Sequence, residues 1–369
     1  MYIALKEFKK EKLRFSMILL VIVLITFLVY FLSSLAFGLS QLNRTAIDHW
    51  GADGVIISES SNKNLLASTI DLKKVEYLSN NNFEFVSISS ANASINGSES
   101  TSLIFMGFED EKDAIIPNII EGSIVSQDFE ILISANIKEQ YDVKVGDTLK
   151  ISDTKREFTI KGFTDNSNYN TVPVVYGKQD MISNLMMNYD TSTTQQDANT
   201  SATPNMPKRI SFVLVKDEAK LNLSDISEEL VYIDITTLIN ELPGYKAQIL
   251  TFGLMIGSLS VIVAIIMGIF MYILTMQKKP IFAVMKIQGY QNNTIISSIV
   301  IQIISLIVTG LLISLGINQL AIFFLPSAVP VLLNIKLISI VSLFIMIASL
   351  LGAVFSGYSV LKIDPLEGL

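Results

Sequence analysis

The sequence has no cysteine and a single histidine, His49, in 369 residues. Without cysteine the chain cannot form disulfides, cysteine-ligated zinc sites, iron–sulfur clusters or a thiol nucleophile. The lone histidine lies outside any nucleophile motif, so a Ser-His-Asp triad has little support. No Gly-x-x-x-x-Gly-Lys-Ser/Thr loop occurs, which leaves no recognisable means of holding nucleotide phosphates. We therefore expect no catalytic residue, no metal site and no permanently bound cofactor, and we predict that the chain is not an enzyme.

Charge is scarce as well, because charged residues make up 17% of the chain, against 50% hydrophobic residues, and the mean hydropathy is +0.49. Charge is absent from four stretches, which lie between Arg14 and Arg44, Lys246 and Lys278, Lys286 and Lys336, and Lys336 and Lys362. A helix needs roughly 20 consecutive apolar residues to cross a hydrocarbon core, and each stretch is long enough. The sequence thus predicts a membrane protein with four transmembrane helices.

The basic residues predict how these helices are oriented. Basic residues precede the first apolar stretch, follow the second and close the chain, whereas the segment between the first two stretches is acidic. By the positive-inside rule both termini lie in the cytoplasm of a multi-pass plasma-membrane protein. The first apolar run exceeds the 7–15 residues of a signal-peptide core, which favours a retained helix. If the run between Lys286 and Lys336 held two spans, Lys362 would instead lie outside.

These patterns divide the chain into consecutive segments with predicted bounds. The prediction comprises a cytoplasmic amphipathic segment (1–14), helix 1 (15–39), an extracytoplasmic domain (40–246), helix 2 (249–276), a cytoplasmic loop (277–294), helix 3 (295–315), an outer loop (316–336), helix 4 (337–358) and a cytoplasmic tail (359–369). Trp50, just beyond helix 1, is expected to anchor the chain at the membrane interface.

The predicted extracytoplasmic domain has an α+β pattern. Runs rich in β-branched and aromatic residues predict strands at 54–57, 85–88, 103–106, 130–133, 148–151, 157–160, 172–175 and 210–215. Helices are predicted at 72–80, 135–141, 178–185 and 224–229. The polar stretch 190–207 is typical of a mobile loop.

Three stretches carry a resemblance to a known family. Residues 130–136, 143–151 and 158–163 form a pattern of strand, helix, Gly-Asp turn and two strands; residues 280–289 read PIFAVMKIQG; and the chain ends IDPLEGL at 363–369. Together with one helix, a large outer domain and three further helices, this resembles the MacB-like and FtsX-like permeases of ABC exporters. The opening at 1–7 and the junction at 273–279 are most similar to HrtB-type haem-efflux permeases of Gram-positive bacteria.

The resemblance implies two copies of a separate ABC ATPase, which bind ATP, and a homodimer of the permease. The ATPase is then expected to dock on residues 279–289. The coupling residues in this segment are Lys279, Ile281, Val284, Met285, Lys286, Gln288 and Gly289. The family has glutamate where this chain has Pro280, so one ionic contact to the partner is lost or rearranged. The Gly-x-x-x-Gly pair Gly253 and Gly257 allows close helix approach and is a candidate dimer-packing face. Gly310, Gly316, Gly352 and Gly357 are expected to serve packing within the chain.

The subfamily resemblance implies haem as a possible transported substrate. A flat apolar ring with two carboxylates needs aromatic contacts, an iron ligand and a cation. The candidates are Phe37, Tyr169 and Tyr232 for ring contact or phenolate ligation, and Lys208 and Arg209 for the propionates; His49 is a further possible ligand.

The alternatives that remain open share this architecture. One is a permease that exports or senses antimicrobial peptides or lipids. Another is an FtsX-like regulator that transports nothing and activates an extracellular cell-wall hydrolase. Membrane lipid is an expected partner in each case, and nucleic acid is not.

Overall fold

The computed structural model describes residues 12–79, 81–109, 113–152, 156–186, 208–222, 226–326 and 329–361. The predicted loop at 190–207, most of the N-terminal segment and most of the C-terminal tail lie outside these residues. The chain divides into two compact units. We call Met1–Gly38 with Ile249–Leu369 the helical unit and Leu39–Gln248 the β-rich unit.

Long apolar helices form the helical unit, and two of them extend into the β-rich unit. The α-helices of the described chain are Lys12–His49 (α1), Ala135–Tyr141 (α2), Gln179–Met186 (α3), Ile235–Asn240 (α4), Tyr245–Met276 (α5), Lys279–Ile287 (α6), Asn292–Phe324 (α7) and Ile335–Leu361 (α8). Among the residues that the structure describes, three stretches have the length and hydropathy to cross a membrane, namely Phe15–His49, Tyr245–Phe270 and Ile296–Phe324, and Ile335–Leu351 is a shorter apolar helix. Helix α7 runs well beyond the predicted end of helix 3, so the connection to α8 is short.

Small and polar residues set the packing between α1 and α7. A Cβ added to Gly310 would lie 2.3 Å from Cγ2 of Ile22, so only glycine fits at this crossing. One turn further along, the Ser314 hydroxyl donates to the Val23 carbonyl at 2.9 Å. In lipid the hydrophobic effect does not drive helices together, so they associate through close backbone packing of this kind and through hydrogen bonds. The intrachain packing expected for Gly310 is confirmed, whereas at Gly316 a Cβ would meet nothing within 4 Å.

Strands dominate the β-rich unit. They are Gly54–Ser58 (β1), Ile70–Asp71 (β2), Phe83–Val86 (β3), Ile88–Ile95 (β4), Thr101–Phe108 (β5), Ile119–Gly122 (β6), Glu130–Ser134 (β7), Thr148–Ile151 (β8), Glu157–Thr164 (β9), Asn168–Tyr169 (β10), Val172–Lys178 (β11), Arg209–Ile210 (β12), Phe212–Val215 (β13) and Leu230–Asp234 (β14).

Six of these strands close into a ring in the order β5-β4-β8-β9-β7-β11, with β11 pairing back to β5. Strands β10 and β6 extend from it. Closure leaves the ring without an open edge, and apolar side chains such as Phe105, Phe158 and Ile160 fill its interior. A separate antiparallel sheet has the order β14-β1-β13-β3.

Successive side chains along β1, β5 and β13 point to opposite faces, so the four-stranded sheet packs against the ring through one face. On β5, Phe105 faces the ring interior while Ile104 faces the core between ring and sheet. On β13, Leu214 enters that same core, and Val213 enters a further cluster on the other face of the sheet. One strand can serve two cores because successive side chains point to opposite faces.

Several details of the β-rich unit differ from the sequence-based expectation. Helix α1 continues to His49, and Trp50 is 1% exposed within the core beside Phe212, so its assignment as an interface anchor is wrong. The predicted helix at 72–80 is a pair of short 3-10 turns, Leu72–Lys74 and Glu76–Leu78. Strand β14 lies where no strand was predicted, and residues 226–229 of the predicted 224–229 helix form no helix.

Candidate functional site

Helix α6 is a short surface helix with clear start and stop signals. Pro280 lies in its first turn, where the missing N–H costs no helical hydrogen bond. At its end Gly289 has φ of +83°, and the N–H of Tyr290 donates to the Met285 carbonyl at 3.1 Å. The Gly289 N–H donates to the Lys286 carbonyl at 3.0 Å, which completes a Schellman cap. The sequence therefore ends the helix after little more than two turns.

The two faces of α6 have opposite roles. Phe282 and Ala283 are buried, and Phe282 joins the apolar core of the helical unit. Ile281, Val284 and Ile287 on the other face are roughly half exposed. A helix that is anchored on one side and presents aliphatic side chains on the other is suited to insertion into a groove of a partner.

The predicted coupling residues divide between these faces. Ile281, Val284 and Gln288 are exposed, and Gly289 forms the cap described above. Met285 is half-buried and packs against the bundle core, and Lys286 is also half-buried. The side chain of Lys279 lies outside the described part of the structure. Ile287 and Tyr290 are exposed here too and were missed, although Ile287 follows Val284 at helical spacing.

The candidate dimer glycines lie on an open face of α5. A Cβ added to Gly253 or Gly257 would meet nothing within 4 Å. Their neighbour Leu254 is 75% exposed, and Val261 and Ile265 continue the uncovered apolar surface along the helix. These glycines therefore pack against no other described part of the chain, which leaves them available to another helix.

A cavity of about 800 Å³ lies between α1, α7 and α8 and was not foreseen from the sequence. Its walls are mostly aliphatic, with Gly316, Gln319 and Ser339 among the lining residues. The hydroxyl groups of Tyr30 and Ser342 bond to each other at its wall. In the sequence, the one feature that could have indicated this cavity is the presence of hydroxyl residues within otherwise apolar helices.

Where α1 and α5 enter the β-rich unit, polar side chains link them. The Ser40 and Tyr245 hydroxyl groups lie 3.0 Å apart, and the Asn43 amide donates to Oε1 of Gln248 at 3.1 Å. We call these two pairs the neck. They tie together the two helices that connect the units, so these segments can move as one body.

The residues proposed for haem contact are dispersed. Tyr169 is 2% exposed in the core between ring and sheet, and burial raises the pKa of its phenol well above the ordinary 10. Tyr232 packs against the cluster on the other face of the four-stranded sheet. Burial, followed by the nearby Glu218, raises its pKa to about 12. Both groups are thus neutral phenols at physiological pH, and the sheet separates them.

The basic candidates are both exposed. Lys208 forms an ion pair with Asp180 at 3.0 Å, and both side chains are largely exposed. Arg209 lies in β12, which pairs with β2. In the helical unit Phe37 is half-buried on α1, and in the β-rich unit His49 is exposed. Within the described residues no group of three or more His, Cys, Asp or Glu side chains is placed to hold a metal ion.

Comparison with known proteins gives matches over the whole chain. Residues 253–365 match the family model FtsX-like permease C-terminal. The hemin transport system permease protein HrtB of Staphylococcus haemolyticus is 26% identical over 100% of this chain and 99% of its own length. HrtB of a Staphylococcus epidermidis strain is 25% identical with the same coverage.

Solved structures give a more distant similarity. The periplasmic region of MacB from Actinobacillus actinomycetemcomitans aligns with 51% of this chain and 92% of its own, at 12% identity and a TM-score of 0.36. The chain therefore carries an FtsX-like permease domain at residues 253–365 and apolar helices long enough to cross a membrane, and over its full length it is similar to permeases.

Proposed function

We propose that this permease works as a homodimer with two copies of an ABC ATPase and removes haem from the plasma membrane. In this arrangement α1, α5, α7 and α8 are the four spans, both termini are cytoplasmic, and residues 40–246 lie outside the cell. The ATPase binds and hydrolyses ATP, and this chain carries out no chemistry of its own.

The observation that carries the proposal is the two-faced geometry of α6. A permease without a nucleotide-binding loop needs a surface on which an ATPase docks. The exposed side chains of Ile281, Val284 and Ile287 provide one, while Phe282 fixes the same helix to the bundle. A displacement imposed on the outer face of α6 is therefore passed to the spans.

Mechanical transmission then requires helices that are continuous from bundle to outer domain. Helices α1 and α5 both run from the helical unit into the β-rich unit, and the neck pairs hold their outer segments together. ATP-driven closure of the two ATPases would tilt these helices and move the two outer domains against each other. A hydrophobic substrate that has entered sideways from the outer leaflet would be squeezed outward.

Haem is the proposed substrate because the relatives that match over the full length are named as hemin transport permeases. A transported molecule needs only a transient site, which can be assembled from both copies during the cycle. Phe37, Tyr169, Tyr232, Lys208 and Arg209 remain the proposed contacts. The buried position of Tyr169 requires a local opening before its ring could meet haem.

The docking proposal is tested by copurification. Replacing Val284 and Ile287 together by Asp should weaken ATPase capture roughly 30-fold or more, because each charge would enter an apolar interface. Gln291→Asp adds a charge in the adjacent turn and serves as the matched control. Met285→Asp is a poorer test, since its side chain packs against the bundle core. Undiminished capture by the double variant would reject α6 as the docking surface.

The haem contacts are tested by spectroscopy. Purified protein should develop a Soret band on addition of haemin, and the combined Phe37→Ala, Tyr169→Ala and Tyr232→Ala changes should weaken it. Because Tyr169 belongs to a core, the Phe37→Ala and Tyr232→Ala pair should be measured alongside. An unaltered band in the triple variant would reject these residues. A wild-type protein that binds no haemin would shift the proposal to peptide or lipid export.

A further inference from the structure

Lys278 is a buried charged residue at the junction of α5 and α6. Lys278 is only 4% exposed, although the adjacent Gln277 is exposed. A lysine at a membrane boundary ordinarily extends its ammonium group towards water. Here Nζ instead donates to Oε1 of Gln302 on α7 at 2.7 Å and lies 5.3 Å from the ring centre of Phe15 on α1.

The backbone at this position is the pivot between the two helices. Helix α5 ends at Met276 and α6 begins at Lys279. The Lys278 N–H donates to the Thr275 carbonyl at 3.1 Å, and its own carbonyl accepts from the Phe282 N–H at 3.1 Å. One residue thus belongs to the last turn of a span and to the first turn of the docking helix, and its side chain reaches two other spans.

Stability alone does not account for a lysine here. Burying an ammonium group is costly, and replacing a buried ionic or polar contact by an apolar side chain of similar length is often neutral or stabilising. Methionine would fill the same space beside Phe15. A contact retained at such a cost points to a role in register or switching, for which buried polar groups are best attested.

We propose that Lys278 is the positioning residue that transmits movement of α6 to α1 and α7. Its ammonium group has three N–H donors and therefore keeps a hydrogen bond to Gln302 while the helices shift. The ring of Phe15 attracts the cation without requiring a fixed angle. This inference rests on the proposed function, in which α6 receives the movement of the ATPase.

The test uses the full permease–ATPase complex and a readout that does not depend on the substrate. The chain has no cysteine, so Leu250→Cys on α5, which is 60% exposed in the wild type, gives a single label site. Its maleimide labelling rate is measured without nucleotide and after trapping with ATP and vanadate. Transmission predicts that trapping changes the wild-type labelling rate severalfold and that Lys278→Met abolishes most of this change, because the variant lacks the charged hydrogen bond to Gln302.

Companion variants separate transmission from folding. Lys278→Arg should retain most of the response, whereas Gln302→Leu should lose it as Lys278→Met does. Lys336→Met, which removes an exposed lysine at the start of α8, should respond like the wild type. ATPase copurification should be unchanged in every variant, which excludes a misplaced docking helix.

The outcomes distinguish this inference from the proposed function. A normal labelling response in Lys278→Met, or loss of ATPase binding in that variant alone, overturns the role of Lys278 and leaves the transporter proposal standing. If trapping does not change the labelling rate of the wild-type complex, both the role of Lys278 and the proposed function are overturned.

Discussion

The two units of the molecule bury apolar residues in opposite ways. In the β-rich unit Val55, Phe105 and Leu214 are fully buried, each in a core enclosed by strands. In the helical unit Leu254 and Phe323 are 75% and 80% exposed, and the crossings are made by glycine, serine and asparagine. Water drives apolar side chains inward, whereas lipid does not, so the second unit specifies its packing by close fit and hydrogen bonds.

This difference predicts where the molecule tolerates change. Added bulk should be harmless on the surface of the helical unit and damaging at its crossings. In the β-rich unit, loss of buried or paired groups should be the costly event.

The largest expected effect tests which side of the membrane each unit faces. Single cysteines are introduced at Glu99, in the turn between β4 and β5, and at Gln291, in the turn after α6; both positions are exposed. An impermeant maleimide added to intact cells should label Glu99→Cys almost completely and should label Gln291→Cys only after permeabilisation. Labelling of Gln291→Cys from outside would contradict the four-span arrangement.

A crossing variant tests the close fit between α1 and α7. Gly310→Leu should destabilise the bundle by about 1–3 kcal/mol, because the new side chain collides with Ile22. Gly316→Leu, on the same helix where a Cβ meets nothing, is the control and should be tolerated. Thermal unfolding and gel filtration in detergent give the comparison; equal stability of the two variants would remove the close-fit argument.

An ion pair tests the β-rich unit. Nζ of Lys161 donates to Oε1 of Glu130 at 2.9 Å, and the N–H groups of Ser126 and Gln127 bond its other oxygen. The lysine and these amides lower the pKa of Glu130 from the ordinary 4.5 to about 2. The carboxylate therefore stabilises the fold above about pH 4.5, and this contribution is lost as the pH falls towards 2.

Glu130→Gln should consequently cost about 1–3 kcal/mol at neutral pH and flatten the loss of stability between pH 5 and pH 2. Trp50 is the only tryptophan in the chain and is buried in this unit, so its fluorescence reports the unfolding. Lys150→Met, which breaks a more exposed pair with Glu157, should cost less. An acid transition that is identical in Glu130→Gln and wild type would contradict this assignment.

The smallest expected effect concerns the neck. Tyr245→Phe removes the hydroxyl that bonds Ser40 and should cost about 0.5–1.5 kcal/mol in unfolding free energy. If the neck holds α1 and α5 together, the same change should weaken ATP-driven transport while ATPase capture is retained. Transport equal to wild type would make the pair purely structural.

Sequence patterns predicted the long apolar helices and five of the six ring strands, all except β4, because both follow from local periodicity. The runs at 103–106, 130–133 and 157–160 lie within β5, β7 and β9. Strand β14 was not predicted because Leu230–Asp234 lies beside a polar stretch and takes its structure from pairing with β1. Trp50 was misplaced because the sequence does not reveal that α1 continues into the second unit.

The candidate sites show the same limit. Helical spacing in residues 280–289 indicated a docking helix, but which side faces the bundle depends on the tertiary anchor formed by Phe282. The inward direction of the Lys278 side chain and the cavity beside Tyr30 arise from contacts among distant helices, and no local pattern encodes them.

The central claim is that ATP hydrolysis by a partner docked on α6 drives haem out of the membrane through this chain. The most direct measurement is haemin transfer from vesicles that contain the reconstituted complex to a haem-binding acceptor on the side of the β-rich unit. The account predicts ATP-dependent transfer by the wild type and a loss of at least about tenfold when Val284 and Ile287 are replaced by Asp. Transfer that is the same with and without ATP, or the same in that variant, would contradict it.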